Sequence, residues 1–228
     1  MSTIADNIGL VSQRIRAAAD AVQRDASSIH LLAVSKTKPA QAVREAYAAG
    51  LHDFGENYLQ EALGKQADLT DLPLSWHFIG PIQSNKTRAI AENFAWVHSV
   101  DRLKIAQRLS EQRPADLPPL NICIQVNVSG EASKSGCTPA DLPALATAIS
   151  ALPRLKLRGL MAIPEPTEDR AEQDAAFATV RDLQASLNLP LDTLSMGMSH
   201  DLESAIAQGA TWVRIGTALF GARDYGQP

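Results

Sequence analysis

"HLLAVSKTKPAQAVREAYAAGLHDFGEN", residues 30–57, carries the pattern that decides the fold. An apolar run over 30–36 ends in a serine and a lysine. A segment with helical spacing follows over 39–50. Pro39 suits a first helical position and Gly50 a C-terminal cap. A second short run, 51–57, completes a strand–helix–strand unit, and strands joined through a helix pair in parallel. No glycine-rich dinucleotide loop follows the first strand, which counts against an open doubly wound sheet.

The same beat runs along the whole chain. Strand-length apolar runs recur at 30–36, 51–57, 76–80, 96–100, 121–128, 155–163, 193–198 and 212–216. Segments with helical periodicity separate them at 39–50, 58–69, 84–94, 101–113, 138–152, 171–188 and 199–209. Pro139 again suits a first turn, Asp101, Thr138 and Ser199 suit N-caps, and Gly209 suits a C-terminal cap. Eight strands alternating with helices predict an α/β fold, a single-domain (β/α)8 TIM barrel spanning residues 1–228. The residues before 30 form an extra N-terminal helix closing one end.

Composition bounds the function. The 228 residues are 45% hydrophobic and 20% charged, as in a soluble globular protein with a sizeable core. The net charge is −4 and the basic residues are scattered, so no nucleic-acid footprint is present. The N-terminus is amphipathic and does not read as a secretory signal, and no apolar run is long enough to cross a bilayer. Cys123 and Cys137 form no close pair, so neither a disulfide framework nor a metal site is expected, and a reducing cytoplasm is the default.

In such barrels the chemistry sits at the C-terminal strand ends. Those ends carry Lys36, Glu56 with Asn57, Gly80, His98 with Ser99, Asn127, Met161, Met198 with Ser199, and Arg214 with Gly216 and Thr217. Alternation places Ile122, Ile124, Val126 and Val128 against the helices and points Gln125 and Asn127 into the barrel. In the last strand Val213 and Ile215 face the helices, so Arg214 points inward beside Trp212. An inward arginine needs an acidic partner such as Glu56 or a ligand.

Two helix starts, at Ser199 and at Gly216–Thr217, lie after the last two strands and together form an anion site of the kind that holds phosphate. Taken singly, Ser199 reads as an N-cap and Gly216 as a turn. A phosphate site, an inward arginine and a strand-end lysine together suit a phosphorylated aldehyde held as a Schiff base on Lys36. Lys36 on its own also reads as a strand-end side chain reaching solvent, and Lys38 is a nearby alternative on a more open loop.

Ordered motifs run from about residue 4 to residue 225: "AVSKTKP", "FGENYLQE", "WHFIGPIQSNK", "SVDR", "VNVSGEASKSG", "RGLMAI", "LSMGMSHDLESAI" and "VRIGTALFGARDY". With them the chain resembles the pyridoxal phosphate homeostasis proteins, a single-barrel branch of the alanine racemase N-terminal fold. The resemblance implies that Lys36 carries pyridoxal 5′-phosphate, that Ser199, Gly216 and Thr217 hold its phosphate, and that Arg214 lies by the pyridine nitrogen. It further implies that Asn57 lines the pocket, with Met161, His77 and Met196 as additional binding positions. Members are cofactor carriers or regulators of vitamin B6 and amino-acid balance without an established reaction, and are usually monomers.

Two functions follow from that resemblance: a cofactor carrier that hands pyridoxal phosphate to apo-enzymes, and a racemase-like enzyme acting on amino acids. The related racemases carry a second, β-rich domain that supplies a tyrosine base across a dimer. Tyr47, Tyr58 and Tyr225 have no evident place as that base, which favours the carrier. A guanidinium beside the ring nitrogen also disfavours its protonation and weakens carbanion chemistry. Lys134, in "EASKSG", reads as a solvated loop charge or as a secondary cofactor site.

Overall fold

The computed structural model describes residues 2–132 and 134–222. Helix α1 (Ile4–Ala21) opens on a capping box in which Thr3 Oγ accepts from the Asp6 N–H and the Asp6 carboxylate accepts from the Thr3 N–H. Its Ile8, Val11, Ile15 and Ala19 recur at helical spacing and are buried. Each such aliphatic side chain contributes about 1.5–3 kcal/mol on burial, Ala19 less, so a charge at Val11 would detach the helix.

The strands are β1 (His30–Val34), β2 (Asp53–Glu56), β3 (Ser75–Phe78), β4 (Trp96–Val100), β5 (Leu120–Gln125), β6 (Leu155–Met161), β7 (Thr193–Ser195) and β8 (Trp212–Ile215). Between and after them lie α2 (Ala40–Ala48), α3 (Leu59–Asp68), α4 (Thr87–Asn93), α5 (Leu103–Gln112), α6 (Leu142–Ser150), α7 (Arg170–Ser186), α8 (Leu202–Ala207) and α9 (Thr217–Phe220). Every strand is parallel to the next, and β8 pairs with β1 in the register His30↔Trp212 to Ala33↔Ile215. The sheet is therefore a closed eight-stranded barrel, as the alternation predicts.

Two-residue alternation divides the core. Outward residues such as Ala33, Phe54, Val97, Ile122, Ile124, Leu160, Val213 and Ile215 pack under the helices in the larger cluster. Leu32, Val34, Ile79, Trp96, Cys123, Met161 and Trp212 fill the barrel interior. Both cysteines are free and buried, and burial pushes the Cys123 thiol up to about 12 and Cys137 to about 11. Among the described residues no helix is long and apolar enough to cross a membrane.

The differences from expectation lie at element ends. The strands stop earlier than the apolar runs do, so Lys36, Asn57, Gly80, Asn127 and Met198 fall in loops just beyond the ladder. Gly50 and Gly209 follow their helices with φ of 104° and 106°, the left-handed geometry expected of them. The expected N-caps shift: Arg102, Asp141 and Asp201 take those positions rather than Asp101, Thr138 and Ser199, and Pro39 is itself the cap of α2.

Candidate functional site

A cavity of about 220 Å³ opens at the C-terminal mouth of the barrel, lined by Val34, Lys36, Asn57, Ile79, Ile163, Met198, Ser199, His200, Arg214, Gly216 and Thr217. Five of the sequence-derived residues, Lys36, Ser199, Arg214, Gly216 and Thr217, thus meet in one place, and Asn57 joins them. A larger hollow of about 480 Å³ lies at the opposite end, around the starts of β3, β4 and β5. Its Arg113 is already committed to the carbonyls of Ala91, Phe94 and Pro118. The mouth holds the converging chemistry.

Lys36 occupies a tight turn that is clamped from behind. Inward parity from Leu32 and Val34 carries it to the cavity. The flanking residues hang on α3. Ser35 Oγ donates to Glu56 Oε1 at 2.7 Å, and the Ser35 carbonyl accepts from Lys65 Nζ at 2.6 Å. The Thr37 N–H donates to Glu61 Oε1 at 2.5 Å. Lys65 Nζ also bonds Glu56 and Glu61, both at 2.7 Å. Thr37 adopts φ 65°, a costly conformation for a β-branched residue, and the clamp holds it there. Burial pushes the Glu56 carboxyl above its usual range against the lowering pull of Lys65. Lys38 does not line this cavity; its Nζ donates to the Ala222 carbonyl, and the residue borders a small adjoining hollow with Lys36, Gly216 and Thr217.

Arg214 forms part of the floor. It is 5% exposed, and its Nη1 donates to Ser195 Oγ at 2.8 Å while Nη2 donates to the Ala162 carbonyl at 3.0 Å. Among the described residues no carboxylate lies within ion-pair distance, and burial lowers the guanidinium to about 10. The expected acid, Glu56, faces outward and pairs with Lys65. Asn57 is pinned by Gly80: a Cβ there would sit 2.4 Å from the Asn57 carbonyl oxygen, so only glycine lets the two loops meet. Asn57 Oδ1 is buried without a hydrogen-bond partner among the described residues, and the residue lines the cavity.

The anion cradle differs in detail from the sequence reading. Ser199 precedes α8 by three positions, and Asp201 occupies the cap and accepts from the Met198 N–H at 2.6 Å. That carboxylate ties down the loop before α8 and makes no side-chain bond to the first amides of the helix itself. Gly216 caps α9 and packs against β1, where a Cβ would approach the Val34 carbonyl to 3.2 Å. Arg14 of α1 fixes the Ser199 carbonyl at 2.9 Å while pairing with Glu203.

Three expected residues lie elsewhere. Met161 ends β6 inside the barrel, packed with Val34 and Ile79 beneath the cavity. His77 sits two residues below Ile79 on the same inward face and is fully buried, so it bonds Asp53 and His98 rather than lining the mouth. Met196 follows the inward Ser195, so alternation turns it outward into the sheet–helix core. Asn127 lies beyond β5 and organises its own loop, donating to the Glu131 carbonyl and accepting from Ser129. Lys134 pairs with Glu165 and Glu131 at the surface. Tyr58 is exposed and Tyr47 stacks edge-on against His52, both away from the cavity; Tyr225 lies outside the described residues.

Val34, Ile79, Ile163 and His200, together with the clamp that Lys65 and Glu61 form with Glu56, were not among the sequence candidates. Parity along β1 and β3 would have found the first two.

The alanine racemase N-terminal domain family matches residues 11–224. A pyridoxal phosphate homeostasis protein of Pseudomonas aeruginosa is 78% identical over 228 residues, covering 100% of this chain and 99% of its own. The protein of that name from Escherichia coli K12 is 53% identical over 234 residues, with 99% of each chain covered. The structure of PipY from Synechococcus elongatus with PLP bound superposes with a TM-score of 0.84 at 45% identity, covering 96% of this chain and 100% of that one. The chain therefore belongs to the alanine racemase N-terminal domain family, within its pyridoxal phosphate homeostasis branch.

Proposed function

We propose that this chain binds pyridoxal 5′-phosphate at the barrel mouth and carries or buffers it for apo-enzymes that use it, serving vitamin B6 and amino-acid homeostasis in the cytoplasm as a monomer. The observation that carries this reading is the convergence of Lys36, Arg214, Ser199 and Gly216–Thr217 on one cavity beside the orphaned Asn57 Oδ1. When bound, the cofactor supplies an aldehyde that condenses with an amine with loss of water, and a phosphate that serves as an anionic handle.

Each role falls to a residue already described. Lys36 is the amine, set by the clamp behind Ser35 and Thr37. Ser199 and Thr217 offer hydroxyl donors, and Gly216 lets the backbone approach the phosphate oxygens. Arg214 is the cation assigned to the ring nitrogen. A fixed positive charge there disfavours protonation of the ring and so weakens its use as an electron sink. The related racemases share an arginine at that place, so the carrier is favoured over a racemase by the names of the two relatives rather than by Arg214.

The test pairs two assays. Loaded protein is mixed with a cofactor-free transaminase, and Cα-proton exchange in heavy water is followed over a panel of amino acids. Reactivation of the transaminase with background exchange is expected. Rapid multiple-turnover exchange without reactivation would replace the carrier with an enzyme.

A further inference from the structure

The barrel interior holds polar groups that the proposed function leaves unused. Below Arg214, Ser195 Oγ lies 2.7 Å from His98 Nδ1, His98 Nε2 lies 2.9 Å from His77 Nδ1, and His77 Nε2 lies 3.0 Å from Asp53 Oδ1. With Arg214 Nη1 at 2.8 Å from Ser195 Oγ, five side chains from β8, β7, β4, β3 and β2 form one unbroken line. His77, His98 and Ser195 are fully buried. Trp96 stacks on His77 and lies tilted against His98, while Trp212 is tilted against His77 and meets His98 edge-on.

The ends of the line fix its direction. A guanidinium only donates and a carboxylate only accepts. The Asp53 carboxylate places the His77 proton on Nε2, so neutral His77 accepts at Nδ1 from His98 Nε2–H, and neutral His98 accepts at Nδ1 from the Ser195 hydroxyl. Ser195 Oγ in turn accepts from Arg214. The carboxylate end sets the tautomer of both rings, and the arginine end is compatible with it. Ser75 Oγ, at 3.5 Å from His77 Nε2, is the weaker competitor.

We propose that Arg214, Ser195, His98, His77 and Asp53 form one hydrogen-bonded chain of fixed polarity along the barrel interior, in which Ser195 and His98 are positioning residues that aim the Arg214 guanidinium at the cofactor ring. The second half of this statement rests on the cofactor reading above; the chain itself does not. Charged and titratable neighbours in the same space are His30 from β1, Cys123 from β5 and Arg158 from β6, the last stacked 4.6 Å over Trp96. None of them is hydrogen-bonded to His77 or His98 in the structure. Burial, the other imidazole and Arg214 all disfavour charge on His98, and burial outweighs the pull of Asp53 on His77.

The chain is tested by two-bond ¹⁵N–¹H correlation of the histidine rings in cofactor-free protein. Both His77 and His98 are expected as neutral Nε2–H tautomers, unchanged from about pH 6 to pH 8. A proton on His98 Nδ1, or an imidazolium at either ring, would overturn it. The positioning role is tested by cofactor titration of His98→Phe and His98→Asn. The phenyl ring removes the acceptor for Ser195, so affinity falls about tenfold or more and the absorption maximum of the bound cofactor shifts. In His98→Asn the amide oxygen can replace Nδ1 as acceptor, so that variant recovers most of the affinity and the maximum. Equal binding and identical spectra for wild type and His98→Phe would remove the positioning role. Failure of the wild type to bind the cofactor would overturn the proposed function and this role with it, while the tautomers still decide the chain.

Discussion

Lys65→Met removes the counter-ion of a carboxylate that the fold buries completely. Glu56 is 0% exposed and Lys65 5%, and Lys65 Nζ makes bonds of 2.6–2.7 Å to the Ser35 carbonyl, Glu56 and Glu61. Breaking one side of a buried ion pair costs about 3–5 kcal/mol, because the remaining charge stays in a poor solvent. For a chain of this length that lowers Tm by about 6–20 °C. The loss depends on pH in a defined sense. Burial already raises the folded-state affinity of Glu56 for its proton, and removing Lys65 raises it further. The folded state then binds more protons than the unfolded one, so stability falls as pH rises above the usual carboxylate range. Calorimetry should therefore show a deficit against wild type that is larger at about pH 8 than at about pH 5. Glu56→Gln in the Lys65→Met background should recover at least about half of it, since the amide oxygen still accepts from Ser35 Oγ. A Lys65→Met protein melting within about 2 °C of wild type at both pH values would refute the reasoning.

Two further outcomes follow from the anion cradle. Gly216→Asp places a Cβ about where the Val34 carbonyl approaches to 3.2 Å and adds like charge beside the phosphate, so equilibrium titration should show affinity for pyridoxal phosphate falling about 100-fold. Pyridoxal, which lacks the phosphate, should bind the wild type about 100-fold more weakly than its phosphate ester, each charge-assisted hydrogen bond being worth about 1.5–3 kcal/mol; equal dissociation constants would count against the cradle.

How much was legible in the sequence depended on whether a signal was local. The strand–helix alternation is local, and it delivered the closed barrel and the inward Arg214 of β8, whereas Asn127, expected to point into the barrel, lies beyond β5 and serves its own loop. Lys36, Arg214, Gly216 and Thr217 were legible because strand ends in a barrel converge by geometry. His77 and Met196 were misplaced because motif position was followed where two-residue parity, read from Ile79 and Ser195, sends them below the cavity and outside the barrel. Parity also decides the alternative of a Glu56–Arg214 pair against it: Glu56 lies on the outer face of β2, beside Phe54, and pairs with Lys65. The Lys65 clamp left one local trace, the i,i+4 spacing of Glu61 and Lys65, and the rest of it joins separate elements. The N-cap position expected for Ser199 falls to Asp201, whose carboxylate accepts from the Met198 loop amide rather than from the helix.

Borohydride reduction of the cofactor-loaded protein, followed by peptide mass mapping, tests the central claim most directly. A single phosphopyridoxyl group on Lys36 is expected, and Lys36→Ala should take up none while remaining folded, because the lysine lies at the barrel mouth. A label on Lys38 or Lys134 with Lys36 unmodified would contradict the account.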